Sequence, residues 1–175
     1  MREIDTELFV KEAKQGNKEA LVKLIMHKKE DYYKLAYTYM GNEHDALDAL
    51  ENMIVILFEK ITQLKKDKSF YSWSCSILVN CCKSILRQNK NIVQIRDEIH
   101  ISDNYSDKDR KIVIEQCLYK LNIKYREVIK MRYYLDYEYK KISKLLGIPL
   151  GTVKSRINKG IKKLRDNLGD DFNEY

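Results

Sequence analysis

The chain has one proline and six glycines in 175 residues, and the abundance of Lys, Glu, Leu and Ile beside that scarcity favours helix over a β-sandwich. No window approaches the roughly 20 apolar residues of a membrane span. The first residues, Met1-Arg2-Glu3-Ile4-Asp5, lack the positive-then-apolar order of a secretory signal. A cytoplasmic chain without membrane insertion is expected. Cys75, Cys81, Cys82 and Cys117 show no paired C-x-x-C spacing and have too few nearby histidines for zinc, so they read as reduced thiols and no metal is expected. His27, His44 and His100 are scattered, and neither a Gly-rich phosphate loop nor an H-E-x-x-H stretch occurs. These absences argue against an enzyme, a cofactor and a small-molecule substrate.

What is present is positive charge. The formal net charge is +7, which points to a polyanionic partner if the charge is concentrated. Residues 1–95 carry 15 basic and 13 acidic side chains, and residues 96–175 carry 18 and 13. Within the second part, Gly151 to Arg165 holds Lys154, Arg156, Lys159, Lys162, Lys163 and Arg165 and no acid.

Apolar periodicity sets the organisation. Asp5 or Thr6 caps a first helix to about Gln15, closed by Gly16. Asn17 opens one long amphipathic helix from Lys18 to Met40, on which Leu21, Leu24, Ile25, Tyr32, Leu35, Ala36 and Tyr39 recur at three-and-four spacing until Gly41. A third helix covers about His44 to Ile61, with Asp45 and Asp48 near its positive end. Its middle, Met53 to Phe58, is apolar almost all round, so the spacing predicts the most buried helix of the domain. The polar run Thr62 to Ser69 precedes a fourth helix from Phe70 to about Gln88. Periodicity fades from Asn89 and resumes at Asp109, which predicts a flexible linker and then helices over about 108–120 and 124–135. The fold expected is all-α: a four-helix domain over 1–90, a linker over 91–107, a second helical domain over 108–168 and a short acidic tail over 169–175.

The most informative segment is Tyr137 to Leu168. Ile142, Leu145 and Leu146 give a short helix an inward stripe, Gly147 suits a left-handed end, and Pro149 prevents continuation. Val153, Ile157, Ile161 and Leu164 then line a second helix, leaving Thr152, Lys154, Ser155, Asn158, Lys159 and Lys162 outward. That is helix-turn-helix geometry. Small Gly151 and Thr152 at the second helix's start allow a phosphate to approach amide hydrogens. An ordinary helical hairpin would share the periodicity, but not a helix whose many bases meet no acid.

The run Gly147-Ile148-Pro149-Leu150-Gly151-Thr152-Val153-Lys154-Ser155-Arg156-Ile157, with Lys162-Lys163-Leu164-Arg165 after it, resembles the sigma-4 domain of bacterial extracytoplasmic-function (ECF) sigma factors. Leu121 to Tyr133 is similar to the segment that precedes it in that family, without the family's prolines after the leucine. The resemblance implies recognition of a minus-thirty-five DNA element through Gly151, Thr152, Lys154, Ser155, Arg156, Asn158 and Lys159. Thr152 and Lys154 would lie near phosphates, with Ser155, Asn158 and Lys159 at base edges.

The first domain resembles the same family. Asp45-Ala46-Leu47-Asp48-Ala49-Leu50-Glu51-Asn52 is similar to its Asp-Ala-x-Asp-Leu-x-Gln-Glu stretch, with Glu51-Asn52 in place of Gln-Glu. This implies docking of Asp45, Asp48, Glu51 and Asn52 on the clamp helices of the largest subunit of core RNA polymerase. Phe70, Trp73, Ile77 and Asn80 resemble the family's Phe-x-x-Trp-x-x-x-Ile-x-x-Asn block. The resemblance implies that the preceding loop, Leu64 to Ser69, captures a base flipped from the minus-ten element, as a loop-helix junction can by apolar and edge contacts while lysines hold the backbone. The residues implied are Lys65, Lys66, Asp67, Lys68, Ser69, Phe70, Trp73, Asn80, Lys83 and Arg87. Phe70 and Trp73 suit core anchors equally well, and Asn80, Lys83 and Arg87 form a polar stripe at helical spacing.

Promoter DNA, core RNA polymerase and an anti-sigma factor are the partners the resemblance implies. The activity it implies is promoter recognition lent to the polymerase. The alternative is a helix-turn-helix regulator that binds DNA without acting as a polymerase subunit, which leaves Asp45, Asp48 and the Phe70 to Trp73 block without a use.

Overall fold

The computed structural model describes residues 5–90 and 107–168, with side chains for 5–88 and 113–168. The expected linker (91–107, apart from its last residue) and acidic tail (169–175, Asp170 and Asp171 among them) lie outside the described residues. Nine α-helices occur among the described residues, and no strand. The chain divides into two compact units, the main division falling after Ile92.

The first unit holds α1 (Thr6–Lys14), α2 (Lys18–His27), α3 (Lys29–Met40), α4 (Glu43–Lys60) and α5 (Phe70–Lys90). Its starts follow from local chemistry. The side chains of Asp5, Asn17 and Asn42 accept the amides of Leu8, Ala20 and Asp45, satisfying donors that a helix start leaves open. Helix α4 packs against α3 and α5, and α1 against α2. Leu24, Leu35, Ala46, Ala49, Met53, Leu57, Phe70, Leu78 and Cys82 are fully buried. Tyr32 and Ser74 share a 2.7 Å hydroxyl contact inside this core, and burial pushes the Tyr32 phenol well above its ordinary range.

Two expectations need correction here. The long helix from Lys18 to Met40 is two helices that meet at Lys28, whose amide bonds to Ile25 and Met26 carbonyls. The run His27-Lys28-Lys29-Glu30-Asp31 contains no apolar side chain to tie that turn to the core, and Glu30 and Asp31 occupy the first turn of α3, where negative charge is favoured. Nor is α4 buried all round. Met53 and Leu57 are, but Leu47, Val55 and Phe58 are exposed, on a second face at helical spacing.

The second unit holds α6 (Asp107–Lys120), α7 (Ile123–Tyr133), most of α8 (Tyr139–Leu146) and α9 (Leu150–Leu168). Leu118, Leu121 and Ile129 form a core with Ile114, Tyr125 and Leu164 packed on it. Helix α9 crosses α7 at Gly160, where an added Cβ would lie 2.8 Å from Ile129 Cδ1. The α6–α7 turn, which lacks the prolines, is closed by polar groups instead. Asn122 caps α7, while Arg126 donates to the carbonyls of Leu118 and Leu121 at 2.9 Å each, and to that of Tyr119. The other buried charges of α7 are also paired, as burial requires: Lys130 with Glu115 at 2.9 Å and Glu127 with Arg156 at 3.4 Å.

Candidate nucleic-acid interface

The α8–α9 turn is the helix-turn-helix the sequence predicts. Gly147 takes φ +64°, the left-handed conformation that costs a side-chain-bearing residue most, and its amide closes on the Ser143 carbonyl. Ser143 Oγ donates to the Ile148 carbonyl at 2.6 Å, fixing the exit. The Pro149 carbonyl accepts from Thr152 and Val153 at 2.9 and 3.1 Å. The Thr152 amide is therefore already engaged, a refinement of the expectation that it would be offered to a phosphate. Nothing lies within 4 Å of a Cβ built on Gly151, so packing within the chain does not demand glycine there.

Val153 and Ile157 are fully buried and hold α9 by one face. Gly151, Lys154, Ser155, Asn158, Lys159, Lys162, Lys163 and Arg165 are exposed on the others, and Thr152 is half-buried. Arg156 departs from this row. Its side chain is 25% exposed and pairs with Glu127, which is 3% exposed. The sequence could not indicate this, because the partners sit 29 positions apart.

In the first unit, the segment between α4 and α5 forms two short 3₁₀ turns, Ile61–Gln63 and Asp67–Ser69. Leu64 and Phe70 are buried at its two ends. Phe70, with no exposed surface, is thus a core anchor rather than a group at the surface; its ring meets Tyr71 edge-on at 5.3 Å. Trp73 is half-buried, 6.3 Å from the Phe70 ring. Lys65, Lys66 and Lys68 are exposed, and Asp67 and Ser69 half-buried. Lys14 Nζ donates to Asp67 Oδ1 at 2.6 Å, and Lys68 lies 3.5 Å from Glu7. Along α5, Asn80 and Arg87 are exposed and Lys83 half-buried.

The start of α4 brings the four acidic-face residues together on two turns: Asp45 and Asp48 half-exposed, Glu51 and Asn52 exposed. His44 Nδ1 lies 3.7 Å from Asp45 and 3.4 Å from Asp48. These three side chains offer ligand atoms within 4.8 Å of one another, but they belong to one exposed helical turn at the start of α4. Exposed Leu47 lies among these residues, and exposed Val55 and Phe58 extend the same helix surface past Glu51. Sequence reasoning noticed Val55 and Phe58 within the apolar run Met53 to Phe58 and assigned them to the core, and gave Leu47 no role. Elsewhere, burial pushes the thiols of Cys81 and Cys117 up, and that of Cys82 up to about 12, which keeps them protonated and weakly nucleophilic.

Comparison with known proteins matches these two units separately. The family model for sigma-70 region 2 matches residues 24–92, and that for sigma-70, region 4, matches residues 111–164. The chain is similar to the RNA polymerase sigma factor SigV of Bacillus subtilis, at 30% identity over 161 residues, which are 89% of this chain and 95% of SigV. It is also similar to the ECF RNA polymerase sigma factor SigW of the same organism, at 27% identity over 92% of this chain and 95% of SigW. Among solved structures, CnrH in complex with the cytosolic domain of CnrY shares the fold at TM-score 0.67 and 20% identity, covering 95% of this chain and 98% of that one. The sigma factor RpoE in complex with the anti-sigma factor NepR, from Bartonella quintana, shares it at TM-score 0.62 and 19% identity, over 86% of this chain and 98% of that one.

Proposed function

Since this chain belongs to the ECF branch of the sigma-70 family, we propose a division of its surfaces among two DNA elements and the polymerase. The chain binds core RNA polymerase and directs promoter recognition and transcription initiation. The regulator that never joins polymerase is not favoured, because it leaves the region-2 match over 24–92 without a role.

The exposed row on α9 reads the minus-thirty-five duplex. Lys154 and Thr152 position it on phosphates, and Ser155, Asn158 and Lys159 reach base edges, with Gly151 leaving room for close approach. The loop Leu64–Ser69 receives an unstacked base of the minus-ten element, Lys65, Lys66 and Lys68 hold its backbone, and Asn80, Lys83 and Arg87 track the adjoining DNA. Asp45, Asp48, Glu51 and Asn52 meet the basic clamp helices of the largest polymerase subunit, and Leu47, Val55 and Phe58 add apolar area beside them. In domain terms, 1–90 docks and opens DNA, 108–168 reads duplex, 91–107 tethers the two, and 169–175 is an acidic tail.

The step driven is strand opening, in which duplex stacking is exchanged for pocket contacts at the expense of binding energy, and it needs no catalytic group or cofactor in this chain. No helix among the described residues is long and apolar enough to cross a membrane; the cytoplasmic placement rests on the family, whose polymerase works there. An anti-sigma factor is the proposed regulator, supported by the shared fold with RpoE, which is solved with NepR.

The observation that carries the reading is the basic row of α9, where Gly151 to Arg165 holds no acid and Lys154, Lys159, Lys162 and Lys163 are exposed, on a helix held by buried Val153 and Ile157. Run-off transcription with purified core polymerase tests it. The double variant Lys154→Glu, Lys159→Glu is expected to abolish promoter-directed transcript while core polymerase is still bound; undiminished transcript would refute the assigned face.

A further inference from the structure

The loop between α4 and α5 has only two 3₁₀ turns of its own, so its backbone must be fixed from outside. Leu64, 5% exposed, and Phe70, fully buried, pin its ends. Between them Lys65, Lys66 and Lys68 place three like charges in four positions, which repel one another. The acid within that run, Asp67, turns toward α1. Lys14 Nζ lies 2.6 Å from Asp67 Oδ1, with the side chains 25% and 20% exposed, so solvent screens the pair in part and less than it would on an open surface. A second pair, Lys68 to Glu7 at 3.5 Å, is more exposed. Glu7 and Lys14 are two helical turns apart and so share a face of α1. That face offers an acid and a base to a base and an acid of the loop, and α1 packs against both 3₁₀ turns.

We propose that Lys14 is a positioning residue for base selection. By holding Asp67 it fixes the middle of the Leu64–Ser69 backbone, and it removes a negative charge from a surface that must accept phosphates. Lys14 itself touches no DNA in this scheme. The inference rests on the assignment of that loop to the minus-ten strand. It gives α1, which precedes the residues matched to region 2, a role in specificity.

The test uses the full chain bound to core polymerase. A single-stranded oligonucleotide selected from a random pool by the unaltered chain supplies the preferred sequence. Replacing each base in turn gives a penalty profile, with a read base standing out by about five- to a hundredfold. Lys14→Met is expected to flatten the profile at the base the loop receives, while penalties elsewhere, core-polymerase affinity and melting temperature stay as they were. Lys14→Asp combined with Asp67→Lys re-forms the pair with signs exchanged and is expected to restore a preference at that position. A Lys14→Met profile identical to the unaltered one, an even loss at all positions together with a lower melting temperature, or a double variant that stays flat would each overturn the proposal. An unaltered chain that selects no sequence on core polymerase would instead overturn the assignment of the loop.

Discussion

Each of the two regions assigned to DNA is tied to a distant part of its unit by a partly buried ion pair, and these two pairs act in opposite directions. In the loop Leu64–Ser69, Lys14 takes up the negative charge of Asp67, the acid of a basic segment. On α9, Glu127 draws in the positive charge of Arg156, one base of a basic helix. The difference lies in what else holds the backbone. Helix α9 is fixed by its own hydrogen bonds and by Val153 and Ile157, so its pair decides only which side chains face outward. The loop has no such ladder, and its pair helps to decide where the chain runs. A duplex groove suits the first arrangement, being a regular surface that a rigid cylinder can enter. A single unstacked base suits the second, because a concave junction can be shaped around it.

If side-chain anchors carry the loop, removing one should be the most damaging change in this comparison. Phe70→Ala deletes a ring with no exposed surface at the loop's end, and the expected loss is about 3–5 kcal/mol in denaturant unfolding. The midpoint should fall without a change in the denaturant slope. A loss under about 1 kcal/mol would mean that the loop and α5 are held by other groups.

For α9 the equivalent weak point is the crossing with α7 at Gly160. Gly160→Ala places a methyl group 2.8 Å from Ile129 Cδ1 and 3.1 Å from Tyr125 Cβ, so either a side chain or a helix must give. The expected cost is about 1–3 kcal/mol, read as a lower melting temperature. Because the face on the far side of α9 is untouched, DNA affinity measured well below the melting temperature should hold. An affinity that fell in step with the number of displaced atoms at this crossing would show that the helix position, as well as its exposed row, is part of recognition.

How much of this could be read from the chain alone follows the range of the interactions. The caps at Asp5 and Asn17, the left-handed Gly147 and the alternate faces of α9 depend on neighbours within four positions, and the sequence displays them. The break at Lys28 was legible in principle as the polar run His27 to Asp31, but the apolar spacing continues through it and masked the change of axis. On α4, Val55 and Phe58 look like core in sequence because an apolar residue does not declare whether its partner lies within the same chain. Hidden altogether were the pairs of Lys14 with Asp67, 53 positions apart, and Glu127 with Arg156, 29 apart. Only the folded chain brings those charges together.

The smallest expected effect is the most discriminating. Glu127→Gln keeps the shape of a nearly buried side chain but removes its charge, so Arg156 loses the attraction that turns it toward α7. Because the guanidinium is itself a quarter exposed, solvent screens the pair, and the stability loss should be about 1 kcal/mol rather than the several expected of a fully buried pair. Arg156 lies on α9 beside Ser155, so the released cation adds to the positive charge of that helix. Binding to a random-sequence duplex, followed by fluorescence anisotropy across a salt series, should then strengthen at low salt. The slope of log K against log salt should steepen by about 0.9, the increment for one more neutralised phosphate. A steeper slope without a change in position-specific penalties would confirm that in a rigid helix the pair sets charge, in contrast to the loop, where it sets shape. An unchanged slope would mean that α7 holds Arg156 by packing alone.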